Sequence, residues 1–226
     1  MDGKTRKEMM KEEKDKLKGM PFKKKLAYVW EYYKGVIGIA VFVIVIICLC
    51  AQMMKGSGRT TELSVAMINA QKTEGTEVLK MEKEFIGYLG LDEGKQTLAF
   101  DDSYLMNLES GDPMTVASQT KLLASIQAET LDVILMPEDI YENYMVSGAF
   151  ADLEEKLGEK FLEVYRDMIC EGRSENDTQD KGYALRIADN GKLKGIYGDQ
   201  TVYLSATVNA GNVENIKKFV QYLLSE

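Results

Sequence analysis

Between Lys34 and Lys55 the chain runs GVIGIAVFVIVIICLCAQMM, 20 residues without a charge. At about 1.5 Å per residue such a helix is about 30 Å long, the thickness of a bilayer's hydrocarbon core. A segment of this kind divides a chain into parts that meet different surroundings, and the charges follow the division. From Met1 to Lys34 there are 11 Lys and Arg against 6 Asp and Glu, which leaves 17 basic against 30 acidic residues for the remainder. Lys16, Lys18, Lys23, Lys24, Lys25 and Lys34 closely precede the apolar run, and Lys55 and Arg59 follow it. The positive-inside rule therefore predicts a single-pass protein of the cell membrane, with its N-terminus cytoplasmic and an acidic domain outside. Tyr28, Trp30, Tyr32 and Tyr33 fall at headgroup level as an interfacial belt.

A cleaved signal peptide would show a shorter apolar region and a small-residue cleavage site. A lipoprotein would carry a small residue before its modified Cys, whereas Leu49 precedes Cys50 and Ile47 precedes Cys48. An uncleaved anchor is the expectation. The predicted organisation is a basic cytoplasmic segment over 1–34, a transmembrane helix over 35–54, a polar tether KGSGRTTE over 55–62 and one α/β domain over 63–226. The charge-dense KEMMKEEKDKLKGM reads as a topology determinant attracted to anionic lipid.

Composition removes whole classes of function. The chain has no histidine, which excludes a Ser-His-Asp or Cys-His nucleophilic site, a His-containing zinc site and a histidine pH switch. The acidic balance of the outer part repels phosphates, and no basic stripe with interleaved aromatics appears there, so no nucleic-acid partner is expected. Cys48 and Cys50 lie inside the apolar run and Cys170 stands alone outside it, so the outer domain has no internal disulfide. Cys170 reads as a semi-buried small apolar residue at a helix end. There is no P-loop, no G-x-G-x-x-G and no clustered cysteine motif. Neither a cofactor, a metal nor a catalytic residue is predicted.

Along the outer domain, LSVAMIN at 63–69 is a near-continuous apolar run, the pattern of a strand buried on both faces. Val78, Met81, Phe85, Tyr88 and Leu89 give a helix stripe closed by Gly90. QTLAF at 96–100 is a second strand ending at Asp101-Asp102-Ser103, 117–131 a second helix, and DVILM at 132–136 a third buried strand. This order implies right-handed crossovers and a parallel sheet covered by helices. Pro137 opens a further helix that Gly148 closes, and one long helix is expected from Leu153 to about Ile169. EGRSENDTQDKG at 171–182 reads as a polar loop with nothing to bury. Asn190-Gly191 between YALRIAD and KLKGIYG signals a hairpin. TVYLSATV at 201–208 is the last strand, and Asn212 caps a final helix. Tyr141, Tyr144, Tyr165, Tyr183, Tyr197, Tyr203 and Tyr222 are expected to be packing residues.

MPFKKKLAYVWEYYKGVIG at 20–38 looks like the juxtamembrane stretch of anchored proteins of Gram-positive, Clostridia-type bacteria. LDVILMPEDIYENYMVSGAF at 131–150, continuing as ADLEEKLGEKF, together with LSVAMINA and the tail VYLSATVNAGNVENIKKFVQYLLSE, resembles the extracellular solute-binding proteins of bacterial ABC importers. The resemblance implies an α/β fold like one lobe of a periplasmic binding protein. The distance from Ile169 to the late strand leaves room for a loop and a hairpin, and not for a second lobe.

In an open parallel sheet, ligands lie outside the carboxyl ends of the strands. The candidate ligand-binding residues are then Asn69 and Gln71 after the first strand, Asp101, Asp102 and Ser103 after the second, Glu138 and Asp139 after the third, and Asn209 after the last. Four carboxylates at one rim would gather a cation or a basic ligand. The structural alternative is that Glu138 and Asp139 complement a helix dipole and that Asp101-Asp102-Ser103 makes a turn. The expectation for function is a non-enzymatic recognition domain, tethered to the membrane, that binds a small solute or serves a membrane transport complex. The alternatives are a scaffold that has lost its ligand and, last, an enzyme built on carboxylates alone.

Overall fold

The computed structural model describes residues 58–70 and 76–225. The expected membrane span, the cytoplasmic segment and Gln71 lie outside them. Among the described residues no helix is long and apolar enough to cross a membrane.

The elements run β1 (Thr60–Ile68), α1 (Thr76–Leu89), β2 (Gln96–Tyr104), α2 (Pro113–Gln127), β3 (Val133–Met136), α3 (Glu138–Met145), α4 (Leu153–Leu157), α5 (Glu159–Leu162), a 3₁₀ turn (Glu163–Met168), β4 (Ile169–Gly172), β5 (Lys181–Ile187), α6 (Gly191–Tyr197), β6 (Val202–Ala206) and α7 (Val213–Leu224). The six strands form one sheet in the order β2-β1-β3-β6-β5-β4. β2, β1 and β3 are parallel. β6 runs against β3, β5 against β6, and β4 against β5. The expected parallel sheet is therefore half of a mixed one. The first three strands are joined by helical crossovers, whereas β4 and β5 form a hairpin and β6 returns beside β3.

Helices cover both faces, and the alternation along each strand divides the core. Leu63, Val65 and Met67 of β1, Val133 and Leu135 of β3, and Leu204 of β6 face α1, α7 and the α4–α6 region. Phe85 of α1 is fully buried there, with ring centroids 5.1 Å from Phe219 and 5.2 Å from Tyr222. Ala66, Ile68, Ile134, Met136 and Tyr203 face α2 and α3. The continuous burial of β1 from Val65 to Ile68 agrees with its unbroken apolar run.

Four local expectations are corrected. Asn190-Gly191 makes no hairpin: the Asn190 side chain accepts from the Lys192 and Leu193 N–H groups and caps α6. The residues that follow bury Leu193, Ile196 and Tyr197, a three-and-four spacing that suits a helix rather than a strand. The long helix from Leu153 breaks at Gly158, whose φ of 87° a helix cannot continue, and the chain goes on through α5 and a 3₁₀ turn. The polar stretch at 171–182 contributes Glu171 and Gly172 to β4 and Lys181 and Gly182 to β5. The final helix does begin after Asn212, but its side chain caps nothing there and its amide donates to Asp132 Oδ2 at 3.4 Å.

Candidate functional site

The sheet has two ends, and the strand directions decide what each collects. At the carboxyl end of β1–β3, Asn69 adopts φ 57° and closes a two-way bond with Met106: its Nδ2 donates to the carbonyl and its Oδ1 accepts from the N–H, both at 2.8 Å. Its side chain is spent on joining β1 to the segment after β2. Asp101, Asp102 and Ser103 lie inside β2, not after it. Lys121 of α2 bridges the Asp101 carboxylate and donates to Ser103 Oγ at 2.7 Å, with its ammonium 4.5 Å from the Tyr104 ring centroid. Partial burial pushes the Asp101 carboxyl up, but the hydrogen bonds from Lys121 and Ser103 outweigh it and leave the group below its usual range. Asp102 points to the other side of the pleat.

Glu138 and Asp139 open α3, as the dipole argument expects, and Glu138 Oε1 accepts from the Tyr203 hydroxyl at 2.7 Å. Burial first, and this bond second, push the Tyr203 hydroxyl up to about 12. β1 separates β2, which carries Asp101, from β3, and Glu138 lies beyond the end of β3 in α3, so the two carboxylates do not stand side by side. Asn209 is at the opposite end of the molecule, because β6 runs against β3, and its amide donates to the Ile126 carbonyl at 3.2 Å. The predicted rim therefore does not converge. Asn69, Asp101, Ser103, Glu138 and Asn209 are each engaged in an internal bond, and a shallow hollow of about 490 Å³ lies between Glu138, Asp139, Glu142, Gln200 and Thr201. Among the described residues no three or more Cys, Asp or Glu side chains stand close enough to hold a metal ion.

The larger cavity, about 550 Å³, opens at the other end of the sheet. Its roof is the β4–β5 connection, which is organised around one carboxylate. Asp177 accepts hydrogen bonds from the Ser174 hydroxyl, the Ser174 N–H and the Tyr183 hydroxyl, and pairs with Lys181 Nζ at 3.1 Å. Ser174 is 6% exposed and Tyr183 3%. The Ser174 and Tyr183 hydroxyls, then Lys181, hold the Asp177 carboxyl far below the usual carboxylate range, and Asp177 in turn raises the Lys181 ammonium. An Arg173–Asp180 ion pair at 2.9 Å ties the base of the loop.

The opposite wall comes from α4 and the turn after β6. Asp152 caps α4 by accepting from the Glu154 N–H at 3.0 Å. Lys156 donates to the carbonyls of Val208 and Ala210 at 2.9 and 3.1 Å. Gly148 has φ 72°, and a Cβ there would meet the Asn176 amide at 3.4 Å, so a glycine allows the roof loop to close over the end of α3. Phe150, Ala151, Val208 and Val213 supply apolar lining.

None of these cavity residues was anticipated as a site. The one local signal was Ser174-Glu175-Asn176-Asp177, a turn-forming run followed by an apolar strand that begins at Tyr183. Cys170 lies in β4 rather than at a helix end, is half-buried, and has its thiol pushed up by burial. The tyrosines pack as expected: Tyr141 and Tyr203 stack at 4.8 Å, and the buried Tyr197 hydroxyl donates to the Leu135 carbonyl at 3.1 Å. No family model, curated protein or solved structure matches this chain.

Proposed function

We propose that this chain is a membrane-anchored recognition protein whose α/β domain stands outside the cytoplasmic membrane and binds a small polar solute without chemistry, by itself or in the service of a transport complex. The observation that carries the reading is the 550 Å³ cavity at the β4–β5 end, where polar and apolar groups line one space and the buried polar groups are already locked by internal bonds. Such an arrangement holds its geometry before a ligand arrives, so little ordering is lost on binding. The uncharged 20-residue run and the basic flank before it supply the anchor. The anchored domain would meet a membrane partner at high effective concentration.

The test is a thermal melt of the full chain in mild detergent against sugars, amino acids, peptides and metal ions. A rise in melting temperature with one of them is expected, and no shift across the panel refutes solute binding. Protease added to intact cells should trim the C-terminal domain, and its survival would refute the topology.

A scaffold reading is favoured by a different observation. α2 exposes Val116 and Leu123 on one side at 53% and 46%, and Met114 in its first turn at 56%, in an otherwise acidic domain. A stoichiometric membrane partner recovered from the native membrane, lost on changing Val116 and Leu123 to Ser, with no solute shift, would select it.

A further inference from the structure

We infer that the cavity between α4 and the β4–β5 connection takes a zwitterionic solute of amino-acid or dipeptide size; the inference rests on the solute-recognition reading above. The lining carries both signs of charge, and the bonds within the protein leave part of each unspent. On the α4 wall the exposed Glu155 carboxylate has no hydrogen-bond or ion-pair partner among the described residues. Asp152 beside it commits one oxygen to the Glu154 N–H. This wall offers acceptors to an ammonium group. In the same space Lys181, from the β4–β5 connection, uses one of its three donors on Asp177, and Lys156, next to Glu155 on α4, uses two of its three on backbone carbonyls. The Asn176 side-chain amide, at the roof, has no partner among the described residues. These groups offer donors to a carboxylate.

The charge pattern separates this solute from its relatives. A monovalent cation would satisfy Glu155 and leave the spare lysine donors facing it. A monovalent anion would do the reverse and lie against two carboxylates. A solute with both groups, spaced by one to a few carbons, answers both signs of charge in the lining, and Val208 and Val213 provide apolar surface for its side chain. The volume is within the range for small-molecule pockets and leaves room for one amino acid or dipeptide.

The experiment is isothermal calorimetry on the full chain in detergent with L-glutamine, glycylglycine, propionate, propylamine and glucose. Glutamine or glycylglycine should bind, with propionate and propylamine about tenfold weaker or beyond detection. Glu155→Gln removes a partnerless exposed carboxylate and leaves the fold intact; it should weaken the zwitterion about tenfold and reduce its advantage over propionate. Val208→Trp fills the cavity from an exposed position and should abolish binding. Propionate or propylamine binding as tightly as glutamine, or zwitterion binding unchanged in both variants, overturns the inference. Binding of glucose alone overturns the ligand class and leaves solute recognition standing, whereas silence from all five probes together with an empty thermal panel removes both.

Discussion

Asp132 offers the sharpest test of how this domain is held together. It precedes β3 and is 7% exposed. One oxygen accepts from the Ser64 N–H at 3.0 Å, and the other from the N–H groups of Gly211 at 3.1 Å and Asn212 at 3.4 Å. The carboxylate thus ties β1 to the turn that starts α7, two parts of the chain about 150 residues apart in sequence. Asp132→Ala leaves the half-buried Ser64 N–H without its acceptor, a loss of about 1–3 kcal/mol, and removes three longer bonds at the more exposed turn, from the Gly211 and Asn212 N–H groups and the Asn212 side-chain amide, about 0.5 kcal/mol each. The total is about 3 kcal/mol, a large fraction of an ordinary domain's stability. Asp132→Asn keeps one carbonyl oxygen and should lose about half as much. Asn212→Ala removes one 3.4 Å contact and should cost about 0.5 kcal/mol alone and nothing further when combined with Asp132→Ala. Urea unfolding of the chain in mild detergent, followed by far-ultraviolet circular dichroism, measures all four. If Asp132→Ala costs less than about 1 kcal/mol, or if Asn212→Ala adds its full cost in the Asp132→Ala background, the carboxylate is not the joint described here.

Asn190→Ala should cost about 2 kcal/mol in the same unfolding assay, because two N–H groups at the start of α6 lose their acceptor and the Leu223 carbonyl loses the donor it meets at 2.7 Å, and Asn190→Asp should restore the cap but not the bond to Leu223; a neutral Asn190→Ala would contradict the cap. The Asp112 carboxyl is lowered to about 2 by the Ser110 hydroxyl first and by the Thr115 and Met114 groups at the start of α2. Its folded-state pKa lies below the unfolded one, so its contribution is present above about pH 4 and disappears as pH falls through about 2. Asp112→Asn should therefore flatten the acid limb of the stability curve between those values. An unchanged limb would refute the assignment.

The early part of the fold was legible because its signals are local and redundant. β1 holds the unbroken apolar run Val65–Ile68, β3 is four buried apolar residues, α1 carries its stripe at Val78, Met81 and Phe85, and the links between them are short. The β4–β6 half was obscure for a physical reason. ICEG of β4 is four residues with a Gly at its end, too short to show alternation, and its hairpin partner lies across a polar loop whose order comes from Asp177 rather than from apolar burial. Asn190-Gly191 satisfies two rules at once, the hairpin turn and the helix cap, and burial of Leu193, Ile196 and Tyr197 decides between them. The candidate rim failed through direction: a last strand running against its neighbour carries Asn209 to the far end. The cavity groups that do converge come from α4, the β4–β5 connection and the turn after β6, which no single stretch of sequence brings together.

Among the described residues β2 is the outermost strand of the parallel half, nine residues long, and no strand pairs with its outer edge there, an edge that would accept another strand. Near its end it carries Asp101 and Asp102 on opposite sides of the pleat. A second copy laid against it head to tail would bring carboxylates toward carboxylates above and below the shared sheet, and Lys121 already belongs to Asp101. A domain with such a margin runs the risk of zipping edge to edge with another copy. Two adjacent aspartates in a strand, an awkward choice for pairing within one molecule, are charges that disfavour such an edge-to-edge pairing.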